Sequence, residues 1–210
     1  MGEHTQTTPD LAALQTALEK KRYQVRRFAR KEEAAAYLLE ACRGSTIGFG
    51  DSQTMVAMGL FEALSRENTV YDPAQGADND QFLELARQAL TADCFLTSAN
   101  AITQDGVIVN LDGTGNRVAG SLFGHRKMYY LISRNKVVPD LDQAIWRVRN
   151  VAAPRNARRL KLRTPCALRE EARCFDCRSP DRICNGLLIQ LQKMNDMEEE
   201  ILLIDEDLGY

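Results

Sequence analysis

Short, largely apolar runs of strand length, each separated from the next by a helix-period stripe, constrain this chain most. Three of them are Ser45-Thr46-Ile47-Gly48-Phe49, Cys94-Phe95-Leu96-Thr97 and Lys127-Met128-Tyr129-Tyr130-Leu131-Ile132-Ser133. Between and around them the apolar spacing changes from two to nearly four. Leu11, Leu14 and Leu18 stripe one face of a helix predicted from Asp10 to about Arg22, with Pro9 in its first turn and Thr7 and Thr8 as caps. Lys31 to Cys42, a segment through Leu64, Asp80 to Ala92 and Asp140 to Asn150 read the same way, and Val151 to Pro154 should end the last. Strands that alternate with helices of roughly ten to fifteen residues indicate βαβ units. The expectation is one α/β domain over 10–210, a mostly parallel sheet flanked by helices. Leu187 to Gln192 and Glu200 to Asp205 are two further strands, read as antiparallel neighbours.

The stretch from Thr97 to His125 departs from that pattern and holds five of the thirteen glycines. Asp105-Gly106 lies between Ala101-Ile102-Thr103 and Val107-Ile108-Val109-Asn110-Leu111. An Asp-Gly pair between β-prone runs signals a hairpin, with a type I′ turn where both central residues take positive φ. The second strand empties into Asp112-Gly113-Thr114-Gly115-Asn116-Arg117. Glycines there let the backbone approach a ligand, and strand ends are where α/β proteins hold ligands. Asn100, Asp112, Asn116 and Arg117 can orient a small polar molecule, with Arg117 able to fork to a carboxylate. His125 is a candidate acid or base near neutral pH. Each also has a plainer reading: turn chemistry for the asparagines, an ion pair with Asp112 for Arg117, a structural role for His125.

Gly48-Phe49-Gly50-Asp51-Ser52, where a strand breaks into a turn and then a helix, is a second candidate wall. Orphan N–H groups and the helix dipole there favour an anion, although such turns also serve packing alone. Gly48, Gly50, Asp51 and Ser52 therefore join Asn100, Asp112, Gly113, Gly115, Asn116, Arg117 and His125 as predicted ligand-binding residues.

A net charge of −2 and a pI of about 5.8 do not point to nucleic acid or an anionic membrane. No apolar run approaches the roughly 18 residues of a membrane span, and the polar N-terminus shows no signal-peptide core, so a cytoplasmic protein is expected. In a reducing compartment, clustered cysteines read as metal-binding or redox-active. Cys42 and Cys94 sit in apolar surroundings and read as core residues. Cys166, Cys174, Cys177 and Cys184 fall within nineteen residues, spaced Cys-x7-Cys-x2-Cys-x6-Cys. Four thiolates suit tetrahedral zinc or an iron–sulfur cluster of the 4Fe–4S type, while disulfides or free thiols are the alternative. Arg147 to Arg173 carries nine basic residues against two acids, Glu170 and Glu171. It reads either as a solvated helix face or as a docking surface for a redox partner protein.

The segment TSANAITQDGVIVNLDGTGNRVAGSLFG, followed by NKVV and by RVRNVAAPRNARRL, resembles the lactate-utilization (LUD) domain family over roughly Asp10 to Tyr210. NLDGTGNR and APxNAxRL are its specific pieces. The resemblance implies a fold similar to ribose-5-phosphate isomerase, glucosamine-phosphate deaminase and CoA transferases. In those folds the first strand–glycine turn–helix often binds phosphate or carboxylate, matching Gly48 to Thr54. Larger relatives belong to an iron–sulfur-containing system that oxidises lactate. This chain lacks their paired ferredoxin-type cysteine runs and resembles the short stand-alone form with its own cysteine segment at 163–185. The expected function is organic-acid utilization or associated redox metabolism, with a small anionic metabolite as ligand. The alternative is a non-catalytic assembly or regulatory subunit of an oxidoreductase; an isomerase or transferase is disfavoured for want of a glycine-flanked nucleophilic glutamate.

Overall fold

The computed structural model describes residues 9–210. The chain runs α1 (Leu11–Lys20), β1 (Gln24–Phe28), α2 (Lys31–Ala41), β2 (Thr46–Phe49), α3 (Gln53–Ala57), α4 (Leu60–Leu64), β3 (Thr69–Tyr71), α5 (Asn79–Ala89) and β4 (Cys94–Thr97). It continues with β5 (Ala101–Thr103), β6 (Ile108–Asp112), α6 (Asn116–Leu122), β7 (Lys127–Ser133), β8 (Val137–Val138), α7 (Leu141–Arg147), α8 (Ala153–Arg159), α9 (Pro165–Leu168), β9 (Gly186–Gln190) and β10 (Glu198–Ile204). Six strands in the order β1-β10-β7-β4-β2-β3, all parallel, form the main sheet. A second sheet, β8-β5-β6-β9, carries the hairpin. The helix-flanked parallel sheet is consistent with the isomerase–deaminase type of fold expected above.

Alternation along the central strands fills both faces. Met128, Tyr130, Ile132, Ile201 and Leu203 join Leu14 and Leu18 of α1 and Ile102 and Ile108 of the hairpin. Tyr129, Leu131 and Leu202 face the other way, onto Leu38, Cys42, Met55, Leu60 and Leu64. Each fully buried Leu removes apolar area worth about 1.5–3 kcal/mol, so these two layers position everything else. Cys42 and Cys94 lie in the second layer, buried and free of disulfide, as read from the sequence.

Several boundaries differ from the sequence expectation. Asp10 caps α1, its carboxylate accepting from the Ala12 and Ala13 amides at 2.9 Å each, so Pro9 precedes the cap. Thr7 and Thr8 lie outside the described residues. Strand β10 does not pair with β9. It sits between β1 and β7, parallel to both, because its Glu199-to-Ile204 run is buried throughout and suits a central strand. The hairpin β5–β6 is antiparallel as expected, but only Gly106 of its turn has positive φ, +85°. Gly106 N–H donates to Thr103 O at 2.9 Å and Thr103 N–H to Val107 O at 2.9 Å, which makes a three-residue loop rather than a type I′ turn. Pro154 does not end the preceding helix: the chain passes from α7 to α8 through a π segment, Val148–Ala152. The wider turn absorbs the proline, whose missing N–H falls at the start of α8. No helix among the described residues is long and apolar enough to cross a membrane.

Candidate functional site

Four neighbouring strands of the main sheet, β10, β7, β4 and β2, end on the same side. The residues beyond each carboxyl end converge: Tyr210 after β10, Lys136 after β7, Ser98 to Asn100 after β4, and Asp51 and Ser52 after β2. They enclose a cleft of about 180 Å³, closed by Asp112 to Arg117 on one side and by Asn156 and Arg159 of α8 on another. This is the crevice at which open α/β sheets take ligands.

Of the predicted residues, Asp51, Ser52, Asn100, Asp112, Gly113, Asn116 and Arg117 line it. The two walls foreseen in the sequence therefore face one another. Their side chains are also tied down locally. Asn100 Oδ1 accepts from the Leu111 amide at 2.8 Å and from an Arg117 terminal nitrogen at 3.0 Å, and the same nitrogen donates to Leu111 O at 2.8 Å. Asp112 accepts from the Gly113 and Val118 amides and stands 3.8 Å from Arg117 Nε. This is the ion pair the plainer reading of Arg117 expected, in a guanidinium that still lines the cleft.

Gly48, Gly50, Gly115 and His125 do not line the cleft. A Cβ on Gly48 would stand 2.3 Å from Ala89 O, and one on Gly50 would stand 2.8 Å from Thr97 Oγ1, so both serve packing. Gly115 supplies φ +94° before α6. His125 is buried, stacked on Phe95 at 4.8 Å, with Nδ1 at 2.8 Å from Ala92 O and Nε2 without a hydrogen-bond partner among the described residues. Burial pulls its pKa below the ordinary value, against the opposing bond to Ala92. Helix α3 behind Ser52 has only five residues, and Ser52 makes no side-chain cap bond.

The cleft contains residues that sequence reasoning passed over. Arg159 reaches Asp51 at 3.3 Å and the Tyr210 hydroxyl at 3.1 Å, and that hydroxyl donates to Asn156 Oδ1 at 2.6 Å. Asn156, Arg159 and Leu160 are three letters of the APxNAxRL piece, and all three line the cleft, so the motif was the available signal. Lys136, from the NKVV piece, is 3% exposed and donates to the main-chain oxygen of Tyr210 at 2.7 Å. Burial first, then Arg147, Arg117 and Arg155, push its pKa down to about 7. Arg147 is buried as well, donating to the main-chain oxygens of Asn100 and of Asn135, the latter at 2.8 Å.

The cysteine segment abuts the cleft. Ile183 lines it, and Asn185 donates from its amide to Asp112 O at 2.9 Å and from its side chain to Gly113 O at 3.2 Å. Cys174 and Cys177 lie near enough to Cys184 to raise its thiol pKa, although burial is the larger cause and Arg182 opposes. Cys166 pairs with Thr164 Oγ1 at 3.3 Å. The donor chemistry suits a thiolate centre. The placement does not: among the described residues no three potential ligands are close enough to hold one ion. Much of the basic segment is engaged internally, Arg149 with Asp176, Arg158 with the main chain at Arg169 and Glu170, and Arg163 with Asp181.

The profile of the LUD domain family matches residues 11–204. The chain belongs to the LUD domain family. A solved structure of a DUF162 family protein from Deinococcus radiodurans has the same fold, with a TM-score of 0.51 at 14% identity over 92% of this chain and 95% of that one. No curated protein sequence matches the chain.

Proposed function

We propose that this LUD domain protein binds a small organic anion of the hydroxy-acid or phosphorylated-metabolite class in the cleft, and serves organic-acid utilization of the lactate kind. The observation that carries this is the convergence of Arg117, Lys136 and Arg159 with Ser98, Asn100, Asn116 and Asn156 at the carboxyl ends of adjacent parallel strands. Cations fix a carboxylate or phosphate, and the amides and hydroxyls read the rest of a small polar molecule. Asp51 and Asp112 are each ion-paired with an arginine of the cleft, which offsets part of their repulsion of such a ligand.

The test is thermal stabilisation by a panel of D- and L-lactate, glycolate and sugar phosphates. A ligand at a hundred times its Kd raises native stability by about 2.7 kcal/mol, a shift readily seen. No stabilisation by any member of the panel would remove the reading. The four cysteines, as ligands of an iron–sulfur cluster or zinc, remain part of this proposal, supported by their spacing in the sequence. Anaerobic purification with metal analysis and an absorption spectrum decides it, and metal content unchanged on replacing Cys174 and Cys177 would show that the ligands are wrong.

A further inference from the structure

The row of strand ends that forms the cleft continues past β2 to its parallel neighbour β3, where it opens into a second cavity of about 130 Å³. Asp51 and Ser52, which follow β2, line both cavities, and Asp72, which follows β3, lines the second. The two cavities therefore lie side by side, with the Asp51–Ser52 turn as their common wall. Their chemistry differs. Arg117, Lys136 and Arg159 line the cleft. Phe49, Met55, Leu60 and Phe61 wall the second cavity, the first three buried and so held in place, and among the described residues neither lysine nor arginine lines it. Its charged groups are the carboxylates of Asp51, Glu62 and Asp72. Asp72 is itself buried, accepting from the Ala74 amide and from Gln75 Nε2 at 3.0 Å each.

Size makes the second cavity relevant to the ligand. Pockets for small molecules begin at about 300 Å³. The cleft, at about 180 Å³, falls short of that, and the two cavities together reach it. An apolar cavity of about 150 Å³ holds benzene, so this one suits a branched or aromatic group of up to about six carbons. We propose that the anion held in the cleft carries an apolar side chain that crosses the Asp51–Ser52 turn into the second cavity, which makes the ligand a monoanionic 2-hydroxy acid with an alkyl or aryl side chain. The inference rests on the small-anion reading above and narrows it. Apolar walls reward such a side chain, and the carboxylates beside them disfavour a ligand with a second anion at its far end, where it would lose water against like charge.

Calorimetric titration at pH 7 with lactate, 2-hydroxybutanoate, 2-hydroxyhexanoate, 3-phenyllactate and 2-hydroxyadipate reads the side chain directly. Each methylene taken out of water contributes about 0.8 kcal/mol, about fourfold in affinity, so 2-hydroxyhexanoate should bind roughly fifty-fold tighter than lactate. 3-Phenyllactate should gain similarly. 2-Hydroxyadipate, which has a carboxylate in place of the terminal methyl of 2-hydroxyhexanoate, should lose the gain. Val56 lines the second cavity from an exposed position on α3, so Val56→Trp fills it without entering the core. That variant should abolish the gain and leave lactate affinity unchanged, at wild-type Tm. Affinity that is flat along the series, or a gain that Val56→Trp does not reduce, overturns the role of the second cavity and leaves the small-anion reading standing. Adipate binding as tight as that of the hexanoate overturns the monoanionic class. No binding by any of the five removes the small-anion reading and this inference with it.

Discussion

Gly113→Ala tests whether the cleft loop and the cysteine segment are one mechanical unit. A Cβ at position 113 would meet Ile183 Cα at 2.9 Å and Ile183 O at 3.1 Å, both main-chain atoms that cannot swing aside. The two segments must part there, which strains the Asn185 bonds to Asp112 O and Gly113 O. Overpacking of this kind costs about 1–3 kcal/mol. Replacing glycine returns about 0.4–1 kcal/mol through the unfolded chain, leaving a net loss of roughly 1–2 kcal/mol. For a chain of 210 residues that lowers Tm by about 2–8 °C. The local effect decides more than the Tm. Iodoacetamide labelling followed by peptide mass spectrometry should show Cys184 reacting several-fold faster, with Cys166 as the internal reference. Gly115→Ala is the control: its φ is +94° with nothing within 4 Å of a Cβ, so it strains the backbone without touching Ile183. If Gly113→Ala labels Cys184 at the wild-type rate, or Gly115→Ala raises that rate equally, the two segments are not coupled through this contact.

Two further substitutions probe the scaffold. Gly48→Ala drives a Cβ to 2.3 Å from Ala89 O, so β2 and α5 must separate; the expected outcome is a loss of more than about 3 kcal/mol, read as insoluble protein or a collapsed Tm, and a folded protein of wild-type Tm would refute the packing role. Glu200 is 1% exposed and holds Arg26 at 2.7 Å, Tyr37 at 2.9 Å and Lys127 at 2.8 Å. Burial raises its pKa, but the bonds to Lys127, Tyr37 and Arg26 together bring it below the ordinary glutamate value. A depressed carboxylate contributes stability above its unfolded pKa and loses it as pH falls through the folded one. Glu200→Gln should therefore cost about 1.5–3 kcal/mol at pH 7, with the gap to wild type closing under acid; a gap constant with pH in denaturant titrations would contradict this.

The sequence disclosed the layers and two walls of the cleft, for identifiable reasons. Apolar spacing at Leu11, Leu14 and Leu18 and the runs at 94–97 and 127–133 depend on local chain geometry, which periodicity reports directly. Asn100, Asp112 and Arg117 were visible because a hairpin and a glycine-rich turn fix them within a short stretch. The place of β10 was hidden, since its pairings with β1 (Gln24 with Glu200) and β7 (Lys127 with Glu198) are contacts far apart in sequence and leave only a buried run as their trace. Lys136 looked like a turn lysine, and Tyr210 gave no signal at all. Only the rule that ligands gather beyond the carboxyl ends of parallel strands points to both, and applying it requires the strand order.

The relation between the cleft and the cysteines shows how much depends on one register. Strands β6 and β9 are antiparallel with Asp112 opposite Gly186. That single alignment brings Asn185 onto the carbonyls of Asp112 and Gly113 and sets Ile183 at the cleft wall, with Cys184 between them in the chain. A shift of one residue would turn every β9 side chain to the other face and remove Asn185 from those carbonyls. The 72 positions separating Gly113 from Asn185 in sequence thus say nothing about their separation in space, where they are hydrogen-bonded. An agent that repositions the Cys184 backbone, whether metal, oxidant or alkylating reagent, is expected to act on the loop that positions Arg117, which is the coupling that Gly113→Ala tests. By reciprocity, an occupant that fixes this loop is then expected to change the reactivity of the thiol. Cys184 is therefore the position at which chemistry in the cysteine segment is most directly felt in the cleft.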